Sequence, residues 1–217
     1  GVPKYYLESF VHSANSRSMN VTPLLRDLVD ALRSVKDSPQ QQFALGSILK
    51  EYAGQHLFHS TQGFSLEEKS AFWYNDIVPL YEEANQLMQI QKDWSGLAVS
   101  YGVQANMYLF TLKEFDKALD LLRQDLDLIE RYHFVEYESS VYGRISLAYQ
   151  GLLQQELNKE TPSATVTGEL FELAHSSAQK AFEVATRLHN DRDAEMAQSS
   201  VDKLENDFKS RVHSTEA

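Results

Sequence analysis

Residues 97–112 constrain the fold of this chain more than any other stretch. At helical spacing, Leu97, Tyr101, Ala105, Tyr108 and Leu112 form one apolar stripe, and Val99, Val103, Met107 and Phe110 form a second. A helix that is apolar on two faces has to be covered on both. A plain four-helix bundle needs one stripe per helix. Stacked helical hairpins need two, because each helix touches its own partner and the neighbouring pair.

The rest of the chain is punctuated as helices. Thr22-Pro23 reads as an N-cap followed by proline at the first helical position, where a missing N–H costs nothing. Leu25, Leu28, Val29, Leu32 and Val35 follow at helical spacing. Ser38-Pro39 repeats the device ahead of Phe43, Ala44, Ile48, Tyr52 and Ala53, and Ser65 with Glu68 has the pattern of a capping box. Asp93 is placed to cap a helix from Trp94 to Phe110. A short break at Lys113-Glu114 precedes a helix running to about Tyr132. Further helices are expected over about 136–155, 168–188 and 192–212, with a loop at 158–167 that contains Pro162. Pro79 falls inside the apolar helical pattern from Phe72 to Leu87, and must either kink that helix or divide it. No alternating β-branched run and no Asn-Gly or Asp-Gly hairpin signal occurs. The expected fold is all-α, about eight or nine helices joined by short connections as antiparallel neighbours.

The helix pair from Trp94 to Tyr132 resembles a tetratricopeptide repeat. Phe115, Ala118 and Leu122 stand at the spacing of that family's aromatic, alanine and large apolar positions, and Phe115-Asp116-Lys117-Ala118-Leu119 is the most family-like segment. Asp125 departs from the alanine usual at the next motif position. Ala105, Asn106 and Leu109 match the preceding helix only in part. Tyr142, Ile145, Ser146 and Tyr149 resemble a second first-helix pattern, with Ala178, Phe182 and Ala185 as its second helix across the Pro162 loop. Ile77, Tyr81 and Ala84 are a weaker echo. Helix starts near 93 and 135 lie 42 residues apart, longer than the roughly 34 of the standard repeat. The resemblance spans roughly 71–188 and is similar to the extended repeats of helical sensor and regulator modules. It implies one helical-repeat domain over 1–217: an irregular helical part at 1–64, then tetratricopeptide-like pairs over 65–217.

The same resemblance implies a non-catalytic module whose concave groove binds a protein or peptide segment. Groove residues in that family come mainly from the first helix of each pair. The matching positions here are Ser100, Val103, Met107 and Phe110, then Ser140, Gly143, Leu147 and Gln150, with Arg144 beside them as a group that can pair a carboxylate. A competing reading makes Val103, Met107, Phe110 and Leu147 simple core. Two other functions remain in view. One is a sensor or regulatory domain of a longer signalling or transcription-regulating protein, suggested by the first residue being Gly1 rather than methionine. The other is an all-helical enzyme with a carboxylate or histidine site.

Composition narrows the partners. The chain has 217 residues, 31 acidic and 20 basic, for a formal net charge of −11, and no cysteine. That excludes thiolate metal sites and cysteine catalysis, and the acid excess argues against direct nucleic-acid binding. The excess is uneven. Residues 1–92 hold 10 acids and 8 bases, whereas residues 93–217 hold 21 acids and 12 bases. A partner on the repeat half is therefore expected to be basic or neutral and salt-sensitive. No apolar run reaches the roughly 18 residues of a membrane helix. The cytoplasm is the expected compartment, with an exported chain freed of a signal peptide as the alternative.

No cofactor is implied, since GxGxxG, Walker and GxSxG motifs do not occur. His56 and His59 are three apart but have no carboxylate at an offset that completes a metal site. Asp191, Asp193 and Glu195 lack the glycine and glutamate of a calcium loop and read as charge at a helix N-terminus. No metal is expected.

Overall fold

The structure, a computed structural model, describes residues 20–35 and 38–215, with side chains as far as residue 206. Among the described residues every regular element is helical and no strand occurs. The helices are α1 (Thr22–Ser34), α2 (Pro39–Ser60), α3 (Leu66–Phe72, a π-helical turn Trp73–Ile77, then Val78–Gln91), α4 (Trp94–Asn106 followed by a π-helical stretch Met107–Leu112), α5 (Phe115–Tyr132), α6 (Val135–Leu157), α7 (Ala164–Arg187) and α8 (Asp191–Thr215). They form two compact units, divided between Ser100 and Tyr101 within α4.

In the first unit α1 packs on α2, and α2 on α3. The core is Leu25 and Val29 of α1, Leu45, Leu49 and Ala53 of α2, and Trp73, Ile77, Tyr81 and Ala84 of α3. Ser38 with Gln41 and Ser65 with Glu68 close two reciprocal capping boxes, so side chains satisfy backbone N–H groups that the helix leaves unpaired. The start of α1 differs from its sequence reading by one residue. Thr22 is already helical, and its N–H donates to Asn20 Oδ1 at 3.0 Å.

Pro79 neither ends α3 nor leaves a gap in it. A proline lacks the N–H and presses on the carbonyl four residues back. The π turn just before it widens the coil, with Val78 N–H reaching Trp73 O across five residues, and the helix resumes with Pro79 in its first turn.

In the second unit α5 packs on α6, α6 on α7, and α7 on α8. The α6–α7 contact is made by small residues. Ser139 Oγ donates to Ala181 O at 3.0 Å and Ser146 Oγ to Ala174 O at 2.7 Å, so each buried hydroxyl is paired. Helix α7 begins at Ala164, earlier than the loop composition implies, because Ser163 accepts from Val166 N–H right after Pro162.

Four helix connections end in a residue pair built alike: Lys92-Asp93, Lys113-Glu114 and His133-Phe134, each the whole connection, and His189-Asn190, which follows Leu188. The first residue of each is left-handed, with φ of 56°, 59°, 60° and 53°. The second returns its N–H to the helix just ended, as in Asp93 to Met88 O at 2.8 Å and Asn190 to Ala185 O at 2.9 Å. Asp93 and Asn190 then cap the following helix, accepting from Gly96 N–H and Asp193 N–H.

Candidate functional site: a cleft in the second unit

Only one of the two stripes that made α4 distinctive is covered. Leu97, Tyr101, Ala105 and Tyr108 are buried, and so is Met107, but Val99, Val103 and Phe110 are exposed. Phe110 stands at one side of a cleft of about 460 Å³ within the second unit. Helix α6 supplies Ser139, Ser140, Gly143, Arg144, Ser146 and Leu147. Helix α7 adds Ala178 and Ala181, and the first turns of α8 add Asp193, Met196, Ala197 and Ser200. The large apolar side chains around it are exposed: Phe110 by 56 %, Leu147 by 41 % and Met196 by 63 %.

Of the residues that the sequence pointed to, Phe110, Ser140, Gly143, Arg144 and Leu147 are brought together in this cleft. Ser100 is fully buried in the first unit, its hydroxyl donating to Asn85 Oδ1 at 2.6 Å. Met107 is core. Val103 is exposed on α4 but is not part of the lining. Gln150 ties α6 to α8, donating to Ser146 Oγ and Ser200 Oγ, each at 3.1 Å. The wall from α8 was not foreseen. Its one available signal was Met196, an apolar residue in the polar stretch from Asp191 to Ser200.

Arg144 is occupied by its own chain. Its Nη1 donates to Gly102 O at 3.1 Å, its Nε to Ser140 O at 3.2 Å and its Nη2 to Ser140 Oγ at 3.0 Å. Beside it lies Asp125 of α5, only 3 % exposed. Both side chains lie against Gly102, where an added Cβ would come within 2.6 Å of Arg144 Nη1 and 3.3 Å of Asp125 Oδ2. Burial pushes the Asp125 carboxyl up to about 7, with the Arg144 charge only partly opposing it. Burial also lowers the Arg144 guanidinium. The residue at which the sequence left the repeat pattern is thus a buried acid of α5 that lies with Arg144 against Gly102, while Arg144 itself bonds α6 to α4.

The remaining charged group of the lining, Asp193, has a neutral partner, the Asn190 amide at 2.8 Å. His56, singled out with His59, has its Nδ1 3.0 Å from Ser60 Oγ and its ring stacked on Tyr52 at 5.2 Å. Among the described residues no group of three or more His, Asp or Glu side chains is placed to hold a metal ion, and no helix is long and apolar enough to cross a membrane. No protein-family model matches the chain, and no curated protein matches it in sequence.

Proposed function

We propose that the second unit is a non-catalytic interaction module and that its cleft takes a protein or peptide segment. One observation carries the reading: Phe110, Leu147 and Met196 stand exposed around one concavity of about 460 Å³. Large apolar side chains grouped at a concave surface are the usual mark of a docking site. The lining's chemistry agrees with binding. Of its two charged groups, Arg144 is engaged by Gly102 and Ser140, so no pair of titratable groups is left to act on a substrate there.

We read the helices as tetratricopeptide-like pairs in the same spirit. In support, Ala118 and Leu122 of the family-like segment are fully buried, and the Phe115 ring lies directly on Gly151 of the next helix.

Selection of twelve-residue peptides displayed at random on the full chain, followed by NMR shift mapping, tests the proposal. Selected peptides are expected to shift Gly143, Leu147 and Met196 and to lose affinity for the Phe110→Asp variant. No selectable binder, or shifts confined to the first unit, overturns it.

A further inference from the structure

We infer that the occupant of the cleft is an amphipathic α-helix that lays a small residue against Gly143 and offers a Lys or Arg to Asp193. The inference rests on the docking role proposed above and adds the chemistry of the partner.

Gly143 is the first ground. A glycine inside a helix costs roughly 1 kcal/mol relative to alanine, so one needs a reason to be there. Three other helical glycines have theirs in a close contact. A Cβ at Gly46 would meet Leu87 Cβ at 3.2 Å, one at Gly102 would meet Arg144 Nη1 at 2.6 Å, and one at Gly151 would meet the Phe115 ring at 2.3 Å. At Gly143, near the middle of α6, nothing beyond its chain neighbours and its own helix backbone lies within 4 Å of that Cβ. Gly168, in the second turn of α7, is equally open, but only Gly143 lines the cleft. The close approach it permits is open, and it opens into the cleft, one turn from exposed Leu147.

Backbone bookkeeping is the second ground. A segment entering an apolar cleft has to keep its N–H and C=O groups paired. One way for an extended peptide to do so is to join a sheet edge, and no strand exists among the described residues. Several hydroxyls of the lining are already committed: Ser139 to Ala181 O, Ser146 to Ala174 O, and Ser200 to the Gln150 amide. A helix pairs its own backbone and needs none of them. Phe110, Leu147 and Met196 then receive apolar residues three and four apart on its face.

Charge is the third ground. With Arg144 engaged internally, Asp193 is the lining charge whose partner is neutral. It belongs to the half of the chain with 21 acids against 12 bases, so a cationic partner is favoured both at the contact and at a distance.

The test is a display library of amphipathic eighteen-residue helices, with the apolar face varied over large and small residues and the polar face over Lys, Glu, Gln and Ser, selected on the full chain. Winners are expected to carry Ala, Gly or Ser between large apolar anchors and an excess of Lys. Gly143→Leu is expected to weaken them by about thirtyfold or more, by filling the space a partner helix needs. This variant gives α6 a better helix former in open space, and an unchanged far-UV spectrum verifies its fold. Asp193→Asn is expected to weaken them about threefold and to flatten their salt dependence. Winners that lose affinity on Phe110→Asp but tolerate Gly143→Leu, or carry no Lys excess, overturn the helix inference and leave the docking role standing. Winners indifferent to Phe110→Asp overturn both. A library without winners overturns the helix inference, while the random-peptide selection decides the docking role separately.

Discussion

Asp125→Asn gives the sharpest energetic prediction. In the unfolded chain this carboxyl titrates near its ordinary value of 3.8, and in the fold near about 7. Below pH 4 both states hold the proton and Asp125 costs nothing. Between pH 4 and 7 the unfolded chain ionises while the fold keeps its proton, so stability falls as pH rises through that window and levels off above it. Three pKa units correspond to a ceiling of about 4 kcal/mol. Asparagine mimics the protonated acid and has no such loss.

The opposing effect is the Arg144 charge left without a counter-charge, since breaking a buried pair usually destabilises. Here that effect is the smaller one. Arg144 is half-buried and keeps its hydrogen bonds to Gly102 and Ser140, and even with Arg144 alongside, burial holds the acid's pKa high. Urea unfolding followed by circular dichroism at pH 4.5 and pH 8 measures the difference between variant and parent. It should be small at the lower pH and reach about 2–4 kcal/mol in favour of the variant at the higher. A variant less stable at pH 8, or a difference independent of pH, refutes the reasoning.

Three further outcomes follow from contacts. Gly151→Ala forces a Cβ into the Phe115 ring and should lose about 1–3 kcal/mol in spite of alanine's better helix propensity, with Phe115→Leu recovering part of it in the double variant. Tyr81→Phe should leave the unfolding free energy unchanged or raise it by up to about 1 kcal/mol, since the Tyr81 hydroxyl is buried with no hydrogen-bond partner among the described residues; a loss above about 2 kcal/mol contradicts this. Lys113→Gly and His133→Gly should each stabilise by about 1 kcal/mol, because both positions are left-handed, as thermal unfolding can measure.

The all-helical fold was legible where polar caps announce it. Ser38, Ser65 and Asp93 cap the helices expected of them. Helix ends were harder to read, because left-handed ends usually carry glycine and here carry Lys92, Lys113, His133 and His189. Pro79 could not be resolved from sequence, since a π turn is a backbone response with no residue code of its own. In the cleft, the α6 positions followed from the resemblance to the first helix of a tetratricopeptide pair. Ser100 and Met107 share that resemblance on α4 but are buried, a difference set by which face the neighbouring helices cover. The α8 wall depends on contacts between helices far apart in sequence, which periodicity does not encode. Asp125 was visible only as a departure from a repeat pattern, and its burial beside Arg144 gives that departure a physical meaning.

The most direct measurement of the central claim is a set of intermolecular NOEs between a selected peptide and the methyl-labelled chain. Contacts from the peptide to the Leu147 and Met196 methyls and to the Gly143 α-protons are the result expected if the cleft is the docking site. A bound peptide whose NOEs fall elsewhere, with those three residues unperturbed, contradicts it.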